Sequence, residues 1–216
     1  PIDRVFTLKG FGTVVTGTAL SGEAVIDMPV EILPSGLKSK IRGLQSHGKA
    51  SERAYAGQRV GINLQGLEKE QLKRGDVVVA PGRFTPTRVL DASLEILRGA
   101  PRLKDRSLVH FYSGTTETTA RVILYNRQEI GPSESCYCQF RLEDEIVALS
   151  GDRYIIRRFS PLETIGGGSI LDPLPERRRR REELEDLHAF DKGTTVQKIE
   201  SNLRKRGLLG ATLGFI

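Results

Sequence analysis

From Val5 to Ala80, apolar and polar residues fall into short β-branched runs separated by turn residues. Runs at Val5 to Leu8, Thr13 to Thr18, Pro29 to Leu33, Ser39 to Ser46, Arg59 to Leu64 and Val77 to Ala80 predict strands. The reason is that β-branched side chains lose rotamer freedom in a helix and fit a pleated surface. Pro34-Ser35-Gly36, Ala56-Gly57-Gln58 and Arg74-Gly75-Asp76 supply the turns. Many short strands without an intervening helical pattern predict a small closed barrel or sandwich, and closure would remove exposed strand edges. Arg83 to Thr87 breaks the pattern. A second series follows at Arg88 to Ile96, Leu108 to Ser113, Thr116 to Tyr125, Ser135 to Leu142, Ile146 to Leu149 and Arg153 to Phe159, and ends in Thr164 to Asp172. Its triple glycine, Gly166 to Gly168, reads either as an anion-binding nest or as a tight crossover of the final strand. No helix opens after it and Pro173 follows closely, which favours the crossover.

Beyond Pro173-Leu174-Pro175 the period changes. Glu176 to Ala189 contains no Gly or Pro and predicts a polar helix with Leu184, Leu187 and His188 on one side. Within it Arg177, Arg178, Arg179, Arg180 and Arg181 form the densest positive cluster of the chain. Consecutive arginines surround a helix, so the run reads as a solvated face or as a contact for nucleic-acid phosphate. Lys192-Gly193 resets the chain, Thr195 is placed to cap a second helix carrying Val196, Ile199 and Leu203, and Gly207 ends it. Leu208 to Ile216 reads as the opening of a further helix, an incomplete winged helix. The predicted fold is mainly β, with two consecutive small β-barrels, residues 1–85 and 86–175, and a short α-helical segment, residues 176–216.

Against this background the glycine-rich stretch Asp3 to Gly22 resembles a phosphate-binding loop and cannot be one. Such a loop needs Gly-Lys-Ser/Thr opening a helix, so that free backbone N–H groups and a lysine converge on phosphate. Here Gly10 and Gly12 run into Thr13-Val14-Val15-Thr16, a strand. The glycines therefore punctuate a hairpin, and the chemistry of the region rests on its polar edge, Asp3 and Arg4.

The 216 residues suffice for two small domains, and no apolar run approaches the ~20 residues that cross a bilayer. No signal-peptide pattern is present, and the abrupt strand-like start at Pro1 suggests a fragment. The net charge of +6 permits a polyanionic partner. Residues 1–85 carry 12 basic and 8 acidic groups, residues 86–175 carry 11 and 12, and residues 176–216 carry 10 and 7, so both ends are basic. Cys136 and Cys138 share a strand face as small apolar residues. With histidines only at 47, 110 and 188, no metal site is expected, and unpaired thiols point to the cytosol.

Two long runs, Ile2 to Gly22 (IDRVFTLKGFGTVVTGTALSG) and Ala54 to Val78 (AYAGQRVGINLQGLEKEQLKRGDVV), closely resemble the second domain of bacterial selenocysteine-specific elongation factors. Gly-Thr-Val-Val-Thr-Gly and Arg-Gly-Asp-Val recur across translational GTPases. Asp3-Arg4 ahead of Phe6-Thr7, the Ala56 to Arg59 turn and the basic helix after the second barrel narrow the resemblance. It implies two translation-factor barrels, domains II and III, followed by a connector into winged-helix modules. Those modules, beyond this chain, would bind the selenoprotein mRNA hairpin. It also implies selenocysteinyl-tRNA and the ribosome as partners, in the cytoplasm and with no membrane. GTP and Mg would belong to an N-terminal domain outside this chain, so the fragment would have no cofactor and no enzymatic activity of its own.

By the same resemblance Asp3, Arg4 and Arg59 match the pocket for the selenocysteinyl group, and His47 is a weaker candidate to line it. A selenol is far more acidic than a thiol of pKa ~8.5, so it is an anion at neutral pH while a serine hydroxyl is neutral. Two guanidiniums in a partly dry pocket would favour the anion, with Asp3 orienting one of them. The residues alone allow a plain surface ion pair instead. Other readings are another translational GTPase or a sulfate-activating relative, using the same two barrels without a selenol pocket, a flavin barrel lacking its nucleotide domain, and an RNA-binding adaptor organised by the arginine helix.

Overall fold

The alternation read from the sequence folds as strands almost throughout. The computed structural model describes residues 1–10, 12–46, 48–175 and 184–206. The chain divides into two compact units, Pro1–Thr87 with Tyr112–Thr118 and Asp144–Val147, and Arg88–Phe111 with Thr119–Glu143 and Ala148–Ile216.

In the first unit the strands are β1 (Ile2–Leu8), β2 (Gly12–Thr18), β3 (Glu23–Val25), β4 (Pro29–Leu33), β5 (Leu37–Ser46), β6 (Lys49–Ser51), β7 (Arg53–Tyr55), β8 (Arg59–Leu64) and β9 (Val77–Val79). The main sheet runs β1-β2-β8-β5-β4-β9, with β6 on β5, while β3 and β7 pair separately. Its ends are drawn together at Ile2, whose N–H donates to the Asp76 carbonyl at 2.7 Å and whose carbonyl accepts from the Gly75 N–H at 3.0 Å, just ahead of β9. The inward positions, among them Val15, Ile32, Ile41, Leu44 and Leu64, form one core cluster. β3, β6 and β7 were not predicted, because three residues are too few to show a period.

The remaining strands, most of whose residues belong to the second unit, are β10 (Thr87–Ile96), β11 (Leu103–Lys104), β12 (Leu108–Ser113), β13 (Thr116–Leu124), β14 (Glu129–Ile130), β15 (Ser135–Ile146), β16 (Arg153–Arg158) and β17 (Glu163–Asp172). Six of these strands close into a barrel, β10-β15-β13-β12-β16-β17. Phe111, Phe140 and Tyr154 fill it with ring centroids 5.0–5.1 Å apart. Such pairs add about 0.5–1.5 kcal/mol beyond their burial. The triple glycine is neither nest nor crossover. It lies inside β17, paired to β16 on one side and β10 on the other. A Cβ on Gly168 would stand 1.9 Å from the Ser93 carbonyl oxygen, and Cβ atoms on Gly166 and Gly167 would stand 2.5 and 2.6 Å from the carbonyl oxygens of Glu95 and Tyr154. Glycine is what lets the barrel close this tightly. No separate strand forms at Ile146 to Leu149: Ile146 is the last residue of β15, which runs unbroken through the acidic Glu143-Asp144-Glu145, and Val147 to Leu149 lie in no strand. Asp144 is held there by Thr118, whose hydroxyl donates to its carboxylate at 3.0 Å.

Two helices follow, α1 (Glu185–Lys192) and α2 (Thr195–Arg206). Leu187 and Phe190 of α1 are buried against Tyr125 and Leu171, with Leu184 and Tyr137 at the edge. His188, expected on that apolar side, is exposed, because the three-residue spacing of Leu184, Leu187 and Phe190 sets the buried stripe. Thr194, not Thr195, caps α2. Its hydroxyl accepts from the Gln197 N–H at 3.4 Å, and Gln197 Oε1 accepts from the Thr194 N–H at 2.8 Å, a capping box. The arginine run 177–181, the remainder of the expected 176–189 helix up to 183, and 207–216 lie outside the described residues. Among the described residues no helix is long and apolar enough to cross a membrane.

Candidate functional site

Asp3 and Arg4 adjoin each other on β1, and in a regular strand they would point to opposite faces. The register prevents this. Ile2 pairs with Gly17 and Arg4 with Thr16, so two steps along β1 match one along β2, and Asp3 is the extra residue of a β-bulge. The bulge keeps Ile2 in the core at 1% exposure and leaves Asp3 and Arg4 both available on the outer face.

Arg59 arrives from far along the chain. Gly57, at φ 86°, takes the left-handed position of a turn closed by the Gln58 N–H donating to the Tyr55 carbonyl at 3.2 Å. The turn is pinned to β2's exit, where the Gly57 N–H donates to the Ala19 carbonyl at 2.8 Å and the Ala19 N–H donates to the Gln58 carbonyl at 3.0 Å. Arg59 then opens β8 opposite Thr18.

These elements converge on one carboxylate. Arg59 Nη1 donates to Asp3 Oδ2 at 2.5 Å, and Thr16 Oγ1 donates to Asp3 Oδ1 at 2.6 Å. The Asp3 side chain is 23% exposed and that of Arg59 56%. Burial pushes the Asp3 carboxyl upward, but the hydrogen bonds from Arg59 and Thr16 and the charges of Arg59 and Arg4 outweigh it and hold Asp3 below the usual carboxylate range. Arg4 is exposed and, among the described residues, makes no hydrogen bond or ion pair of its own. Asp3 neutralises one guanidinium and leaves the other, so the trio carries one net positive charge on an open strand face. Such a set can receive one anion and fix its approach.

The structure therefore brings together the three residues singled out in the sequence and adds Thr16. In the sequence Thr16 reads as an ordinary β-former in Thr-Val-Val-Thr-Gly-Thr, and only its pairing with Arg4 gives it a partner. A neighbouring recess lined by Ile2, Val15, Thr16, Gly17, Val60 and Ile62 is largely apolar; of the site residues it includes Thr16 but not Asp3, Arg4 or Arg59. His47 and Arg177 to Arg181 lie outside the described residues.

Sequence reading also missed a buried polar network in the second unit. Tyr125 Oη and Gln139 Nε2 donate to Asp91 Oδ1 at 2.8 and 3.1 Å, and Arg141 Nε donates to Gln139 Oε1 at 3.2 Å. Of this network, Tyr125 also packs in one cluster with Leu187 and Phe190 of α1. Cys138 is buried and Cys136 half-buried. Burial pushes the Cys136 thiol up to about 11 and Cys138 higher than a free thiol, so neither is a thiolate at neutral pH. Among the described residues no group of His, Cys, Asp or Glu is arranged to hold a metal ion.

Comparison with known proteins gives two adjoining matches. Residues 12–79 match the family model of elongation factor Tu domain 2, and residues 91–177 match that of the β-barrel domain of the selenocysteine-specific elongation factor. The chain is 42% identical over 215 residues to the selenocysteine-specific elongation factor of Desulfomicrobium baculatum, covering 99% of this chain and 34% of that protein. It is 34% identical over 196 residues to the one of Methanocaldococcus jannaschii (80% and 40%) and 32% identical over 182 residues to that of Escherichia coli K12 (83% and 28%). A crystal structure of bacterial selenocysteine-specific elongation factor EF-Sec shares the fold at TM-score 0.81 and 23% identity, over 99% of this chain and 34% of that one. The chain thus spans about a third of the length of the curated relatives it matches.

Proposed function

We infer that this chain, which belongs to the selenocysteine-specific elongation factor family, carries the part of such a factor that holds the aminoacyl end of selenocysteinyl-tRNA for delivery to the ribosome at recoded UGA codons. The observation that carries the reading is the Asp3-Arg59 pair with Arg4 beside it, three charged groups that sum to one positive charge on one strand face.

The chemistry follows from that charge. A selenolate placed between the two guanidiniums gains two charge-assisted contacts, whereas a serine hydroxyl leaves a guanidinium facing a neutral group. Asp3, held ionised by Arg59 and Thr16, fixes the Arg59 guanidinium so that little ordering remains to be done when the ligand arrives. GTP and its Mg belong to another region of the parent factor, so these residues neither bind nor hydrolyse GTP, and the work of the chain lies in the cytosol with the translation machinery. Recognition of the mRNA hairpin belongs to winged-helix modules that follow in the parent.

The test uses the full-length protein with GTP, in which Arg4→Ala and Arg59→Ala are compared for binding to selenocysteinyl-tRNA and seryl-tRNA. Selenocysteinyl-tRNA should lose on the order of 2–4 kcal/mol of binding, as for truncation of a desolvated charge pair. Seryl-tRNA should change by less than about 1 kcal/mol, as for an exposed charge. Equal losses for both tRNAs would remove the pocket reading and leave a general RNA-binding role.

A further inference from the structure

Glycines inside strands usually answer to the fold, as Gly166, Gly167 and Gly168 do. Gly61 does not. It lies in the middle of β8, its φ is outside the left-handed region, and it pairs with Thr16 on one side and Gln45 on the other. The ladder to β2 is continuous through it, and the one irregularity in the ladder to β5 falls elsewhere, between Ile41 and Gly43. A Cβ built on Gly61 would meet Gln45 Cβ at 3.7 Å and Thr16 Cγ2 at 3.9 Å, ordinary contact distances. The backbone thus has room for a methyl group and no bulge or bend at this point. A strand glycine without either of those causes marks a place where something approaches the backbone closely, because it otherwise weakens the strand and packs nothing.

What approaches comes from outside the sheet. Val60 is buried and Ile62 packs against the core, so the open side of Gly61 is the outer face. Arg59, two residues back along β8, is on that same face. The register makes Arg4, Thr16, Gly61 and Gln45 one row across β1, β2, β8 and β5, with the missing side chain beside the Asp3-Arg59 pair.

We propose that Gly61 is the seat of the aminoacyl side chain and a specificity-determining position, its missing side chain setting the size of the group that can lie between Arg4 and Arg59. This rests on the pocket reading above and deepens it, since charge selects the anion while the gap at Gly61 admits the large selenium atom.

In the full-length protein with GTP, Gly61→Ala and Gly61→Val are compared with Arg59→Ala by thermal melting and by affinity for selenocysteinyl-tRNA and seryl-tRNA. Gly61→Ala should melt at or above the wild type. It should bind selenocysteinyl-tRNA about tenfold or more weakly, with Val weaker still, as one added methyl or methylene group does in a fitted pocket. Seryl-tRNA, with a smaller oxygen, should lose less. Wild-type binding of selenocysteinyl-tRNA by both Gly61 variants, with Arg59→Ala still losing its selectivity, overturns the seat and leaves the pocket standing. Equal losses for both tRNAs in Arg59→Ala overturn the pocket and the seat together. A melting temperature of Gly61→Ala well below wild type shows that the fold itself requires the glycine and overturns the seat alone.

Discussion

The Asp3-Arg59 pair should contribute little to stability, and a double-mutant cycle with Asp3→Asn and Arg59→Ala measures how little. The two groups meet at 2.5 Å, but the Arg59 side chain is 56% exposed and water screens it. Two unit charges ~4 Å apart in water interact by about 1 kcal/mol, and exposed pairs measured by such cycles give about 0.2–1 kcal/mol. The expected coupling is therefore roughly 0.5–1 kcal/mol, a melting shift of about 2–4 °C at most in a chain of this size. Asp3→Asn should cost more than Arg59→Ala, about 1–2 kcal/mol, because it also weakens the short bond from the less exposed Thr16 hydroxyl. The pH dependence has a definite sign. Asp3 is held below its ordinary value of about 3.9, so its contribution is complete at neutral pH. It is lost as pH falls through that value to the folded one, and Asp3→Asn should flatten this acid limb. Urea unfolding of the four variants between neutral and acid pH supplies all these quantities. A coupling above about 2 kcal/mol, or a larger cost for Arg59→Ala than for Asp3→Asn, would make the pair a structural strut and refute the discount for solvent.

Two further outcomes test the second unit. Gly168→Ala places a Cβ 1.9 Å from the Ser93 carbonyl and near the Tyr154 hydroxyl that bonds it at 2.6 Å. It should cost more than about 3 kcal/mol in urea unfolding, and a loss under about 1 kcal/mol would show that β10 and β17 can part cheaply. Leu187→Ala opens a cavity under α1 and should weaken its docking by about 2–4 kcal/mol. Amide exchange should then quicken in α1 and not in the barrel strands, whereas uniform acceleration would show that the helix is integral to the barrel.

Much of this was legible in advance for a physical reason. Pro29 to Leu33, Arg59 to Leu64 and Leu108 to Ser113 show β-branched alternation with clear turns on both sides, and their predicted bounds match the strands. The acidic Glu143-Asp144-Glu145 looked like a break because charge is a poor strand former, yet a cross-strand threonine holds it in the ladder. The triple glycine was misread because the sequence shows flexibility, not the carbonyls of neighbouring strands that make glycine necessary.

The sequence by itself determined where most strands and turns fall and the mainly β class, and, through family resemblance, it singled out Asp3, Arg4 and Arg59 as candidates. Only the tertiary structure decided that a bulge at Asp3 turns adjacent residues to one face, that Thr16 shares the carboxylate with Arg59, and that Gly61 is a gap in a row of side chains. Strand propensity and alternation are local properties, set by a residue and its immediate neighbours. Register and cross-strand partnership join residues 13 and 56 positions apart, and the chain must close on itself before those contacts exist.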